Sequence, residues 1–175
     1  TLITGGTGVG QDFWNLVLND GGGAASTYTL ANNSLVSNDL TVTDGTLDTS
    51  TFNLQVSGTT AQVGAAGTLD FSNSAGADVL NLDAVLDVNG SLLGGAGNIQ
   101  ASENVDFTGG SFTKGAGTFI FDGGVNRNLI AAGEDLGDIS VTGLMTLTDA
   151  GDFDDVSVSG TFATAQSFSV AGNWN

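Results

Sequence analysis

Apolar and small polar residues alternate in short runs along almost the whole chain, and each run stops at Gly, Asn or Asp. Examples are Asp39-Leu40-Thr41-Val42-Thr43, Phe52-Asn53-Leu54-Gln55-Val56 and Thr68-Leu69-Asp70-Phe71. Leu86-Asp87-Val88, Val105-Asp106-Phe107, Phe119-Ile120-Phe121, Ile139-Ser140-Val141, Val156-Ser157-Val158 and Phe168-Ser169-Val170 continue the series. A period of two puts every second side chain on one face, so each run reads as a strand with one buried side. Thr, Val, Ile and Phe fit a pleated surface better than a helix. No segment sustains a 3.6-residue period. The best helical candidate, Glu134 to Gly137, is too short to matter. The stops Asp44-Gly45, Asn89-Gly90, Gly109-Gly110 and Asp122-Gly123-Gly124 tolerate the positive φ of tight turns.

Short strands at close, even spacing suit a solenoid, in which each turn of chain stacks on the one before. At roughly 20 residues per turn, the 175 residues make about eight turns, and at ~4.8 Å per turn a rod of ~40 Å. The expected fold is therefore all-β, a parallel β-solenoid formed by residues 1–175 as a single domain. A β-sandwich is the alternative, because the same alternation serves antiparallel strands. The inward positions would be Leu40, Val42, Leu54, Val56, Leu69, Phe71, Leu86, Val88, Phe107, Phe119, Phe121, Val156, Val158, Phe168 and Val170.

A longer echo overlies this pattern. Leu40-Thr-Val-Thr-Asp-Gly-Thr-Leu47 resembles Val156-Ser-Val-Ser-Gly-Thr-Phe162, and Leu54-Gln-Val56-Ser-Gly58 resembles Phe168-Ser-Val170-Ala-Gly172. It suggests a degenerate internal repeat over about 1–60 and 127–175. Residues 72 to 104 match neither copy, so an irregularity or a switch of sheet is expected there. The repeat frame, and a first residue, Thr1, unlike a translational start, imply a processed or excised chain cut within a repeat at both ends.

Composition narrows the function. The chain has 19 acids against two cations, Lys114 and Arg127, for a formal charge of -17. Nucleic acid and anionic lipid need Lys and Arg to neutralise phosphate, so neither is an expected partner. With no Cys there is no disulfide or thiolate chemistry, and with no His the commonest zinc ligand is missing. No apolar run approaches the ~18 residues that span a bilayer, and no signal peptide is visible. Gly5-Gly-Thr-Gly-Val-Gly10 lacks the Lys and the following helix of a phosphate loop.

Asp152, Asp154 and Asp155 form the densest acidic patch. They are candidate calcium ligands, because Ca²⁺ takes six to eight oxygens and favours Asp; the alternative is an acidic turn with Phe153 tucked inward. A glycosidase would need two such carboxyls flanking a sugar bond. Thr-x-Thr pairs at Thr27/Thr29, Thr41/Thr43 and Thr146/Thr148 lack the constant spacing of an ice-binding face, and Asn32 and Asn89 stand in sequon-like triplets.

Asp39-Leu-Thr-Val-Thr-Asp-Gly-Thr-Leu-Asp48, Gly115-Ala-Gly-Thr-Phe-Ile-Phe-Asp-Gly123 and Gly172-Asn-Trp174-Asn resemble the repeats of giant bacterial surface proteins, the filamentous-haemagglutinin-like and autotransporter-like adhesins. The resemblance implies secretion, a right-handed parallel β-solenoid, and a role in adhesion or a surface fibre, with an extracellular or cell-surface location and no shared catalytic motif. The enzyme alternative is a lyase resembling the pectate lyases. It would have to draw its base from Lys114 or Arg127, with Asp106 and Asp122 in sequence reach. With two basic residues in the chain, no enzymatic role and no cofactor beyond possible calcium are expected.

Unpaired strand edges at the ends of a solenoid template further pairing unless capped. The expected use is head-to-tail self-assembly into an open polymer, joined by strand addition between the regions Thr1 to Leu18 and Phe162 to Asn175. Trp14, Leu16, Leu18, Phe168, Val170 and Trp174 are the candidate interface. The other expectation is a module that binds surface glycans through an aromatic platform of Tyr28, Trp14 and Phe153.

Overall fold

The computed structural model describes residues 12–21, 26–164 and 166–175. All described strand pairs are parallel, and each strand pairs with the strand one turn away in sequence, so the chain is a β-solenoid of about eight turns. A sandwich of antiparallel hairpins is excluded. No helix is long and apolar enough to cross a membrane among the described residues. The segment Glu134 to Gly137 contains no helix. Asp135 makes an isolated parallel bridge to Asp152.

Each turn crosses three faces. Face A is the ladder β1 (Leu16–Leu18), β4 (Leu40–Asp48), β6 (Thr60–Asp70), β8 (Val85–Val88), β11 (Val105–Asp106), β14 (Arg127–Ile130), β16 (Leu144–Leu147) and β19 (Thr161–Thr164). Two of these strands are long enough to bend onto face B. The far end of β4 pairs there with β2 (Thr27–Thr29), and that of β6 with β9 (Ser91–Leu93), followed by β12 (Ser111–Thr113). A register shift between Val42 and Asp44 marks the bend. Near the C-terminal end, face B is formed by β17 (Gly151–Phe153) on β20 (Phe168–Val170). Face C is β3 (Ser34–Val36), β5 (Leu54–Val56), β7 (Val79–Leu82), β10 (Asn98–Ala101), β13 (Thr118–Phe121), β15 (Asp138–Val141) and β18 (Val156–Val158).

Parallel in-register stacking sets like on like. On face C, Leu54, Leu80, Ile99, Phe119, Ile139 and Val156 form one continuous inward ladder. Val56, Leu82, Ala101, Phe121 and Val141 form a second. All are buried. The strand period of two therefore produces a continuous apolar core along the described turns. Phe107, Phe112, Phe119 and Phe121 fill its middle, with ring centroids 4.8–6.4 Å apart. Twelve of the fifteen inward positions expected from sequence are fully buried; Val158, Phe168 and Val170 are half-buried because they lie in the last turns.

The corners are held by side chains acting along the axis. The Asp39 N–H donates to Asn15 Oδ1 at 3.1 Å, and the Thr60 N–H to Asp39 Oδ1 at 3.1 Å. Asn53 donates to Asn33 and Val79 to Asn53 in the same way, at 2.9 and 2.8 Å. Asp155 donates to Asp138 at 3.1 Å and Asn173 to Asp155 at 2.5 Å. In each pair the acceptor belongs to the earlier turn. Asn and Asp sit at corners because they can satisfy a neighbouring turn's backbone N–H there.

Two sequence expectations differ from this structure. Residues 72 to 104 contain no switch of sheet. Their strands continue the ladders, and the irregularity is only a longer turn: Leu80 stands on Leu54, whereas Phe119 stands on Ile99 and Ile139 on Phe119 at twenty-residue intervals. The long echo joins positions on different faces. Leu40 lies on face A and Val156 on face C; Leu54 lies on face C and Phe168 on face B. The structural repeat is the single turn, and strings of alternating Val, Leu and Thr recur because every face demands the same alternation.

Candidate functional site

The C-terminal end of the rod ends in an aromatic surface. Trp174 makes a parallel bridge to Val156, which makes it the next rung of the face-C inward ladder. The Val156 N–H donates to the Asn173 carbonyl at 2.8 Å, and the Asn175 N–H returns to Val156 at 2.9 Å. The indole lies over the end of the core, 5.7 Å from Phe162 and 5.5 Å from Phe168. Phe153 closes the cluster from beneath, 6.3 Å from Phe162 and 6.0 Å from Phe168. Trp174 is 53% exposed, and Phe162, Phe168 and Val170 are half-buried. Among the described residues β18, β19 and β20 each carry a named strand on one side only, with Trp174 as an added bridge on β18.

At the other end Trp14 is 70% exposed, while Leu16 and Leu18 are core residues. Their strand β1 is paired on one side, with β4, among the described residues. The expected interface thus divides: Trp14, Phe168, Val170 and Trp174 reach the surface, whereas Leu16 and Leu18 point into the first described rung. The expected contribution of residues 1–11 lies outside the described residues.

The acidic patch separates into three local roles. Asp152 Oδ1 accepts from the Ser169 hydroxyl. Asp154 Oδ2 meets Lys114 Nζ at 2.7 Å, and Asp155 Oδ1 takes the backbone and side-chain N–H of Asn173. Among the described residues no three His, Cys, Asp or Glu side chains are grouped to hold a metal ion. Phe153 is buried, as the acidic-turn alternative has it, so it cannot serve an exposed sugar platform. Tyr28 is half-buried against the core, which leaves Trp14 as the exposed member of that trio. Other acids terminate strands: Asp48 accepts from the Ser50 N–H, Asp70 from Ser72 and Asp106 from Thr108.

Both cations are held in ion pairs. Lys114 Nζ bridges Asp135 at 2.6 Å and Asp154 at 2.7 Å, joining turns along face B. The hydrogen bonds to Asp135 and Asp154, with their charges, outweigh desolvation and raise the ammonium above its usual 10.5. Burial pushes Asp135 up, but the Lys114 bond, the Gly137 N–H and the Lys114 charge hold it below 3.8. Arg127 donates to Glu103 at 2.5 Å and to the Ser102 carbonyl at 3.2 Å. The residues that bind the two cations are therefore other than Asp106 and Asp122, the acids in sequence reach of a lyase-like base. A general base must be free to take a proton, and a doubly paired ammonium with a raised pKa is poorly placed for that.

A concavity of about 510 Å³ lies on the outside of face C. Asn33, Asn53, Gln55, Asn81 and Gln100 line it, with Asp12 at one side. It has no aromatic residue in its lining and was not apparent from sequence, because its amides are scattered over four turns and only stacking aligns them.

Comparison with family models, with curated proteins and with solved structures finds no match for this chain.

Proposed function

We propose that this chain is a structural unit of an extracellular surface fibre, and that units join head to tail by adding one unit's first turn to another's last. The observation that supports this reading is the rod's division of surface. Along its sides the backbone is paired turn to turn, and among the described residues large apolar side chains are exposed there only singly, at Val17, Val125 and Leu144. At the C-terminal end, β18, β19 and β20 each carry a named strand on one side only among the described residues, and they surround the half-exposed cluster of Phe162, Phe168 and Trp174. A joint there would extend three ladders at once and cover the aromatics, combining main-chain hydrogen bonding with apolar burial.

The polarity of the joint follows from the corner bonds. The corner residues Asn15, Asn33, Asp39, Asn53, Asp138 and Asp155 each accept from the following turn, so Asn173 Oδ1 would receive an N–H from the added unit, as Asp155 receives that of Asn173. An end that matches one kind of turn and cannot close on itself gives a linear polymer. The acidic flanks would keep neighbouring fibres apart, since like charge opposes lateral association. Under this reading the chain is secreted and non-enzymatic, in keeping with its resemblance to adhesin repeats, and calcium would act only by screening its acids.

Sedimentation velocity over a hundred-fold range of concentration tests it. The wild-type chain is expected to grow into long species. A Phe168→Asp/Trp174→Asp variant with an unchanged far-ultraviolet spectrum is expected to stay monomeric. A monodisperse wild type, or a variant that polymerises equally well, would overturn the proposal.

A further inference from the structure

We propose that the concavity on face C is a binding groove for an extended, neutral polysaccharide chain lying along the rod axis. The groove lies on the side of the rod and works independently of fibre assembly. Three amide side chains, Gln55, Asn81 and Gln100, occupy one register position on successive turns of β5, β7 and β10. They point outward between buried neighbours, since their strands alternate inward and outward. Asn33 and Asn53 flank them at the corner of the same face, and all five line the 510 Å³ concavity.

The free hydrogen-bonding capacity of this stripe sets the ligand chemistry. Gln55 Nε2 donates to Asp83 Oδ2 at 2.9 Å, and Asn81 Nδ2 reaches the same oxygen at 3.4 Å. Asp83 thereby aims two amides and leaves Gln55 Oε1 and Asn81 Oδ1 as acceptors. Gln100 makes no side-chain hydrogen bond among the described residues, so it retains two donors and an acceptor. Asn33 and Asn53 spend their Oδ1 atoms on the corner ladder and keep their Nδ2 donors. Donors and acceptors mixed at this density match hydroxyl groups, each of which both gives and takes a hydrogen bond.

Charge selects further. No Lys or Arg lines the groove, Asp12 does, and the chain carries -17 overall. An anionic uronate or phosphate chain would be repelled. The amides recur at the strand spacing of ~4.8 Å, close to the advance of one sugar ring in an extended linear glycan. One ring per turn can therefore meet one amide. The same face loses this character beyond β10, where the register position passes to Ile120, Ser140 and Ser157. The groove is thus a bounded stretch of the rod.

Isothermal titration of the full chain tests the assignment, using cellohexaose, xylohexaose and mannohexaose as neutral probes and hexagalacturonate as the acidic one. At least one neutral hexasaccharide should bind, and hexagalacturonate should bind at least ten-fold more weakly. A Gln55→Ala/Asn81→Ala/Gln100→Ala variant should lose ten-fold or more in affinity, while Ser140→Ala/Ser157→Ala on the same face should bind as wild type. Circular dichroism confirms folding of both variants, and Gln100→Glu, which keeps the size of the side chain, should also weaken binding if the triple variant misfolds. Failure of every neutral probe to bind, equal binding of the acidic probe, or undiminished binding by the substituted chains would overturn the proposal. None of these results depends on whether the chain polymerises.

Discussion

Replacing Phe107 by Ala should be among the most costly single changes in this protein. The ring is fully buried, 5.8 Å from Phe112 and 6.4 Å from Phe119, in the middle of the rod. An aromatic side chain buries roughly 150–250 Å², worth about 4–6 kcal/mol at ~25 cal/mol per Å². A compact unfolded chain already hides part of that area, so about 3–5 kcal/mol is the expected loss. Neighbours cannot collapse into the void freely, because each is fixed by the strand register of its own turn. The loss also sits at a coupling between turns. A solenoid is held together by nearest-neighbour contacts, so a weak centre should let its two halves melt separately. Guanidinium denaturation, followed in a Trp14→Phe background by far-ultraviolet circular dichroism and by Trp174 fluorescence, reads both effects. The two probes should report midpoints that separate in Phe107→Ala, and Phe107→Leu should recover most of the stability. A loss below about 1 kcal/mol, with coincident midpoints, would refute the reasoning that stacked apolar ladders hold the rod together.

Other predictions follow from the corners and from the charges. Gly143→Ala should destabilise by about 1–3 kcal/mol or more, because a Cβ there would lie 2.2 Å from the Gly123 carbonyl of the previous turn; a thermal melt within 1 °C of wild type would contradict this. Lys114→Met should be less stable than wild type at neutral pH. Asp135 is depressed in the fold, so its contribution is present above the ordinary 3.8 and disappears as pH falls through its lower folded value. Lys114 is raised, so its contribution is present below 10.5 and disappears as pH rises through its higher folded value. The wild-type advantage should therefore be level from about pH 5 to 9 and shrink at both extremes. An advantage equal at pH 2 and pH 7 would show that Lys114 acts through packing alone.

The sequence was most informative where local chemistry decides the outcome. Alternation at Val156-Ser157-Val158 and Phe168-Ser169-Val170 located two strands to the residue. Asp44-Gly45 was less telling. Gly45 does take a positive φ, but inside β4, where the long strand bends between faces rather than ending. Strands with little alternating apolar content were missed, such as β12 (Ser-Phe-Thr) and β17 (Gly-Asp-Phe), because their pairing comes from the turn beneath them. The same cause hid the functional surfaces. Nothing local marks Lys114 as the partner of Asp135 and Asp154, or aligns Gln55 with Asn81 and Gln100. Turn lengths vary, from seventeen residues between Ile139 and Val156 to twenty-six between Leu54 and Leu80. A fixed period therefore cannot phase the sequence, and the phase decides which side chains become neighbours. Trp174 was legible as an end residue by its position alone; that it continues the ladder of Val156 required the register.

Cryo-electron microscopy of the purified chain at high concentration, with and without millimolar calcium, tests the central claim most directly. Filaments are expected with a subunit repeat of ~38 Å, about eight rungs of ~4.8 Å, and with strand density running unbroken across each joint over Trp174. Single rods of ~40 Å at every concentration, or filaments joined side by side with Trp174 left in solvent, would contradict it.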